Sequence, residues 1–212
     1  MCYSARVSLG TFLIGTVGSL LIVSFGHWVD KVIGFFWFFV SSMQFIEYLL
    51  WSHQICDDWN RAISYAGMIL NHLQPMVLGV LFLLFGTRNK RPILYVILAY
   101  MVAMIPFSHS FRDVEDQQCT ARHPGNPHLR WNWNNLPYST TFYSIFTCAI
   151  AIICFLGFPT QWTRNLFGIS AFLGILTNMY IYGRTHAGAM WCFYTALTPP
   201  FYVFARQLGW IL

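Results

Sequence analysis

Seven apolar stretches of near membrane-spanning length succeed one another along this chain, at about 7–25, 32–52, 62–86, 92–107, 139–158, 166–183 and 187–206. A helix needs roughly 20 apolar residues to cross the hydrocarbon of a bilayer. The pattern therefore predicts an all-α, polytopic membrane protein with seven transmembrane helices in a single domain covering residues 1–212. The fourth stretch is short, and only Arg184, Thr185 and His186 separate the last two. Composition supports this: 9% of the 212 residues are charged and 57% are apolar, where a soluble domain carries about 25% charged. So few charges cannot cover a soluble globule of this size. A soluble enzyme, a disordered chain and a small disulfide-knotted secreted domain are excluded. The run from Val7 to Phe25 is too long for the apolar core of a signal peptide and lacks a small-residue cleavage site, so it is expected to remain as the first membrane helix.

The connections are short except for residues 108–138, a polar segment rich in Pro, Asn and Gly turn signals. Its end, Trp131-Asn132-Trp133, fits the headgroup zone where Trp and Tyr collect. With seven spans, Lys31, Arg88, Lys90, Arg91, Arg164 and Arg206 fall on one side, and Arg6, Arg61, Arg184 and the long loop on the other. Cationic loops stay cytoplasmic, which predicts an exoplasmic or lumenal N-terminus and a cytoplasmic C-terminus. The net charge of +5 is scattered, apart from Arg88, Lys90 and Arg91, so it does not indicate nucleic acid. The expected surroundings are the lipid bilayer, with a second copy or a larger membrane complex as protein partners. Cys56 and Cys119 fall on the long-loop side. They form a disulfide in an oxidising compartment or remain free thiols.

Helices 1–3 and 5–7 show a weak internal correspondence at an offset of about 134 residues, placing Trp28 on Trp162, Gly34 on Gly168 and Tyr48 on Tyr182. A repeat of this kind is a 3+1+3 parallel arrangement with helix 4 as linker. Parallel repeats occur in transporters, with the substrate site at the repeat interface. The architecture would be similar to that of the SWEET and PQ-loop transporters, although helix 3 here reads Gln74-Pro75 rather than Pro-Gln.

Glu47 is the only acid inside an expected span. Gln44, Tyr48 and Trp51 share its helical face. A carboxylate at that depth costs about 2–3 kcal/mol on insertion scales. It suits a proton relay or counter-ion role, or else a structural hydrogen bond between helices. Helix 3 carries Asn71, His72 and Gln74 just before Pro75, which removes the N–H that would bond the residue 71 carbonyl. Freed backbone within a membrane is tolerated only inside protein or beside a wet cavity. His72 is a candidate proton partner of Glu47, a cofactor ligand, or a helix-packing histidine. Pro199 and Pro200 should bend helix 7, and together with Pro75 they are candidate hinges. Small-residue stripes in helix 1 (Thr11, Gly15, Gly18, Ser19) and helix 5 (Thr140, Ser144, Thr147, Cys148) read first as close helix packing. Cys119, His123 and His128 in the long loop do not follow a standard zinc spacing, so the loop reads as a solvated lid. No HExxH, GxSxG, Walker A or GxGxxG motif is present, and neither a metal nor another cofactor is expected.

Met1-Cys2-Tyr3-Ser4, the stretch from Gln44 through Glu47 to Trp51, Gln74-Pro75 and Trp191-Cys192 together resemble an uncharacterised family of small polytopic membrane proteins. Its members begin Met-Cys-Phe/Tyr-Ser and carry a Gln-x-x-Glu-x-x-x-Trp helix. The resemblance covers the whole chain and implies no particular mechanism beyond attention to the Glu47 face.

Three functions follow as expectations. The first is a transporter or channel moving protons, or a small solute coupled to protons, past Glu47. The second is a structural or assembly subunit of a larger membrane complex. The third is a membrane enzyme or redox protein with a cofactor at His72 or His186. Enzymatic activity is the less expected outcome.

Overall fold

The computed structural model describes residues 4–86, 89–112, 118–122, 128–136, 138–161, 163–164, 167, 180 and 194–210. Six α-helices lie among them: α1 (Ala5–Ser24), α2 (Trp28–Ser52), α3 (Asp58–Phe85), α4 (Lys90–Arg112), α5 (Ser139–Gly157) and α6 (Thr198–Gln207). The first five are long and apolar enough to cross a membrane, so the chain is built as a polytopic, helical membrane protein. Nearly all of the sixth expected span and the first part of the seventh lie outside the described residues. So do Trp162, Gly168 and Tyr182, on which the repeat rests, along with His123, His186 and Trp191-Cys192.

Local chemistry sets the helix ends. The Ser4 hydroxyl accepts the Val7 N–H at the start of α1, and the Asp57 carboxylate accepts the Asn60 N–H at the start of α3. Each satisfies one of the N–H groups a helix leaves orphaned in its first turn. Gly86, with φ +122°, ends α3 in a conformation that favours glycine. Several boundaries differ from expectation; α3, for one, begins at Asp58 rather than residue 62. α2 begins at Trp28 rather than residue 32, because the His27 ring accepts the Val29 N–H and caps the helix earlier. Asp30 is thereby drawn into the first helical turn and is fully buried. α4 continues through Pro106 to Arg112. There the Ser108 hydroxyl donates to Met104 O and the Ser110 hydroxyl to Pro106 O and Phe107 O, all beyond the Val102 carbonyl that Pro106 leaves without its N–H.

Neighbours in sequence pack as neighbours in space: α1 on α2, α2 on α3, α3 on α4 and α5, α4 on α5, with α6 returning to α1 and α2. Close approach of α1 and α2 depends on glycine. A β-carbon on Gly34 would stand 2.8 Å from Ser19 O, and one on Gly15 would overlap the Ser41 hydroxyl. Lipid tails are as apolar as leucine, so dense packing of this kind holds membrane helices together where water-driven burial cannot. The core runs through Ile33, Phe36, Val40 and Met43 of α2, Leu78 and Phe82 of α3, Ile97 of α4 and Ile153 of α5. Phe82 meets Phe158 edge-on at 4.9 Å.

At the end of the bundle marked by the α2–α3 turn, the long connection folds back as a cap. β1 (Ala121–Arg122) pairs antiparallel with β2 (Leu129–Arg130), and a 3-10 turn follows at Asn132–Asn135. The expected solvated lid is instead a buried plug in its described part, for Leu129, Trp131, Trp133 and Leu136 are all buried in the core. Polar composition concealed this, because the buried aromatic residues alternate with the polar ones that tie the strand down.

Candidate functional site

Gln44 and Glu47 are completely buried, each 0% exposed, while Tyr48 and Trp51 on the same face are half-buried. Their placement follows from what flanks them on α2. Gly34 and Ser41 face α1, and Ile46 faces α3 at Gly67. At 100° per residue, Gln44 and Glu47 lie on the side of α2 opposite the exposed Phe35, Phe38 and Phe45, so α2 presents them to the bundle interior. Glu47 lies roughly seven residues past the middle of α2, about 10 Å at 1.5 Å per residue, and so nearer the capped end than the centre.

A second polar group is organised by α3. Gln74 Nε2 donates to Asn71 Oδ1 at 3.5 Å, and Asn71 Nδ2 donates to the Tyr143 hydroxyl of α5 at 3.3 Å. That hydroxyl donates in turn to Asn134 Oδ1 in the cap. A chain of polar side chains thus runs from the middle of α3 to the plug. Pro75 lies inside α3, and one residue beyond the expected free carbonyl, His72 O accepts from the Tyr100 hydroxyl of α4 at 2.8 Å.

His72 faces this second group. Its Nδ1 donates to Met68 O at 2.7 Å, and its ring packs against Phe107 at 4.8 Å and Tyr143 at 5.9 Å. Nε2 is buried without a hydrogen-bond partner among the described residues. With Nδ1 fixed as the donor, neutral His72 presents an acceptor lone pair at Nε2. His72 and Glu47 stand at different depths. Ile46 of α2 lies against Gly67 of α3, so in this antiparallel pair His72 stands roughly six residues, about 9 Å along the bundle, deeper than Glu47.

Pro199 and Pro200 sit in the first turn of α6, where a missing N–H costs nothing. Residues 194–196 are helical and Leu197 is a turn, so the two prolines follow directly on a break between helical segments. The plug is fastened to the α2–α3 turn. Cys56 and Cys119 are disulfide-bonded. Asn60 Nδ2 donates to Thr120 O at 3.0 Å, the Thr120 N–H donates to Asn60 Oδ1 and to Ser64 Oγ at 3.0 Å each, and Asn132 Nδ2 donates to Cys119 O at 2.8 Å. Among the described residues no group of three or more His, Cys, Asp or Glu side chains gathers as a metal site.

Reading by span boundaries missed Asp30. The Tyr202 hydroxyl donates to Asp30 Oδ1 at 2.8 Å, and an Arg206 guanidinium N–H group lies 3.5 Å from Oδ2. A helix cap in the sequence, His27 before Asp30, was the one local signal for that placement. Compared with protein-family models, curated proteins and solved structures, the chain matches none.

Proposed function

We propose that this protein is a multi-pass membrane transporter or channel that moves protons, or a small polar solute coupled to protons, through the polar interior around Glu47. In this reading seven helices stand in a 3+1+3 parallel arrangement. The N-terminus and plug are exoplasmic or lumenal, and the C-terminus is cytoplasmic. The observation that carries it is a completely buried carboxylate in a membrane-length helix. Intramembrane acids are costly to insert and are found facing bundle interiors along ion and proton paths. Gln44 shares the buried face, and the Gln74–Asn71–Tyr143–Asn134 chain supplies a second polar track leading toward the plug. Amides bind polar solutes well but pass protons poorly, so that track suits solute contact and Glu47 suits the proton.

The test is proton flux into proteoliposomes under an imposed pH gradient, comparing the wild type with Glu47→Gln, both checked for monodisperse folding. The expected result is flux in the wild type that falls to background in the variant. Equal flux in both removes Glu47 from the path. Absence of flux in the wild type removes proton movement, and stoichiometric partners recovered from native membranes would then make the chain an assembly subunit.

A further inference from the structure

The ion pair between Asp30 and Arg206 joins the first turn of α2 to the last turn of α6, at the end of the bundle opposite the plug. Asp30 is 0% exposed. A buried carboxylate is tolerated only when paired and hydrogen-bonded. Here Arg206 supplies the counter-charge and Tyr202 the short hydrogen bond, and both come from α6. The Arg206 guanidinium also lies over the Phe25 ring, 5.7 Å from its centroid, so the same side chain closes over the α1–α2 connection.

The other end of α6 is seated differently. Pro199 and Pro200 rest on α1 at Gly18, where a β-carbon would stand 2.8 Å from Pro199 Cβ and 3.1 Å from Pro200 Cδ. That contact is apolar and carries no charge. α6 is thus a ten-residue helix with a proline seat at its N-terminal end and charged and polar contacts to Asp30 near its C-terminal end. Residues 172 and 176 positions beyond Asp30 in sequence close on it, an arrangement that requires the C-terminal helix to be docked.

We propose that Asp30, Tyr202 and Arg206 form the latch of a gate at the end opposite the plug, with α6 turning about its Pro199–Pro200 seat. The latch rests on the transport reading: one end of the polar interior is closed by the disulfide-fastened plug, and the other by this pair. When Arg206 and Tyr202 leave Asp30, α6 parts from α2 and the interior beyond Ile33 opens to that side. The carboxylate then gains water in place of its partners, which makes the open state attainable.

The experiment reads opening directly. Ile33, one turn beyond Asp30 on α2 and buried, is replaced by cysteine in a chain whose Cys2, Cys148, Cys154 and Cys192 are alanine. A membrane-impermeant maleimide is applied from the Arg206 side. Labelling is expected to be slow with the latch intact. Asp30→Asn or Arg206→Gln should speed it by roughly an order of magnitude or more, because removing one partner of a buried pair penalises the paired state heavily. The double variant should be no faster than the quicker single one, as coupled partners require. Tyr202→Phe, which keeps the ion pair, should fall between. Unchanged labelling in Arg206→Gln, or additive effects in the double variant, overturns the latch. A lower melting temperature with unchanged labelling makes the pair purely structural. Faster labelling in a protein that shows no proton flux leaves the latch standing and removes only the transport reading.

Discussion

Trp131 of the plug lies against the backbone of Gly67 in α3: a β-carbon at Gly67 would stand 2.8 Å from Trp131 Cζ3 and 3.0 Å from Ile46 Cγ2. One indole thereby fills the space where the plug, α2 and α3 meet, and it is almost fully buried in doing so. Gly67→Ala forces either the ring or α2 to move. Overpacking a filled site typically costs about 1–3 kcal/mol, so the variant should melt at a lower temperature in detergent. Gly10→Ala, where nothing lies within 4 Å of the new carbon, is the control. It should match or exceed the wild type, since alanine is favoured over glycine in a helix by up to about 1 kcal/mol. Equal melting of Gly67→Ala and Gly10→Ala would mean that the plug does not sit on α3.

The Cys56–Cys119 disulfide closes a loop across a sequence separation of 63. For a free chain, loop entropy alone would assign it about 4 kcal/mol. The loop here includes α3 and α4, which a bilayer keeps inserted and helical when tertiary contacts are lost, so the unfolded chain has less freedom for the bond to remove. Cys56→Ser should therefore lower the melting temperature by less than that figure implies. The larger effect should be local: the plug, released from its covalent tie but still held by Asn60, Ser64 and Asn132, should become accessible to protease from its own side of the membrane. The cleavage rate at residues 118–136, with and without reductant, measures this. A rate that reductant leaves unchanged would show that the hydrogen bonds alone hold the plug.

The five long helices were legible because each announces itself within some twenty residues. The burial of Gln44 and Glu47 followed from helical spacing alone, since apolar flanks leave their face only the interior. What stayed hidden depends on residues far apart. Asp30 looks like a loop charge until His27 is recognised as a cap, and its partners lie near the opposite end of the chain. Trp131 and Trp133 look like headgroup anchors, yet a plug needs the α2–α3 turn to receive it, and no local pattern records that match. The depth of Glu47 relative to His72 was equally invisible, because span boundaries say little about relative depth once helices start earlier than expected.

Tyr100 is the donor that reaches His72 O beside Pro75. Inside a bilayer a lost hydrogen bond between helices has modest cost, about 1 kcal/mol, because the partner finds other contacts in the unfolded-in-membrane state. Tyr100→Phe should destabilise by about that amount in a denaturing-detergent titration. Tyr95→Phe, on the exposed side of the same helix, should not register. The turn of α3 around this carbonyl should also loosen, which increased hydrogen exchange at residues 72–76 would report. No change in exchange would mean that the helix around Pro75 is held by packing rather than by Tyr100.

Asp57 links the α2–α3 turn to the protonation state of the medium. Its carboxylate accepts the Asn60 N–H at 3.0 Å and lies 2.8 Å from His53 Nε2. The Asn60 N–H, followed by the His53 contact, holds its pKa below the ordinary value of 3.8. The folded state therefore binds this proton less readily than the unfolded chain does. The resulting stabilisation is complete above 3.8 and is lost as the pH falls through the lower folded value. Asp57→Asn keeps a capping oxygen but cannot titrate. The wild type should melt above the variant near neutral pH, and the gap should close as the pH drops below 3.8. Salt should narrow the neutral-pH gap as well, because the group is well exposed and its charge is screened. A gap that persists unchanged into acid would show that Asp57 acts through shape and hydrogen bonding alone, with its charge contributing nothing to the fold.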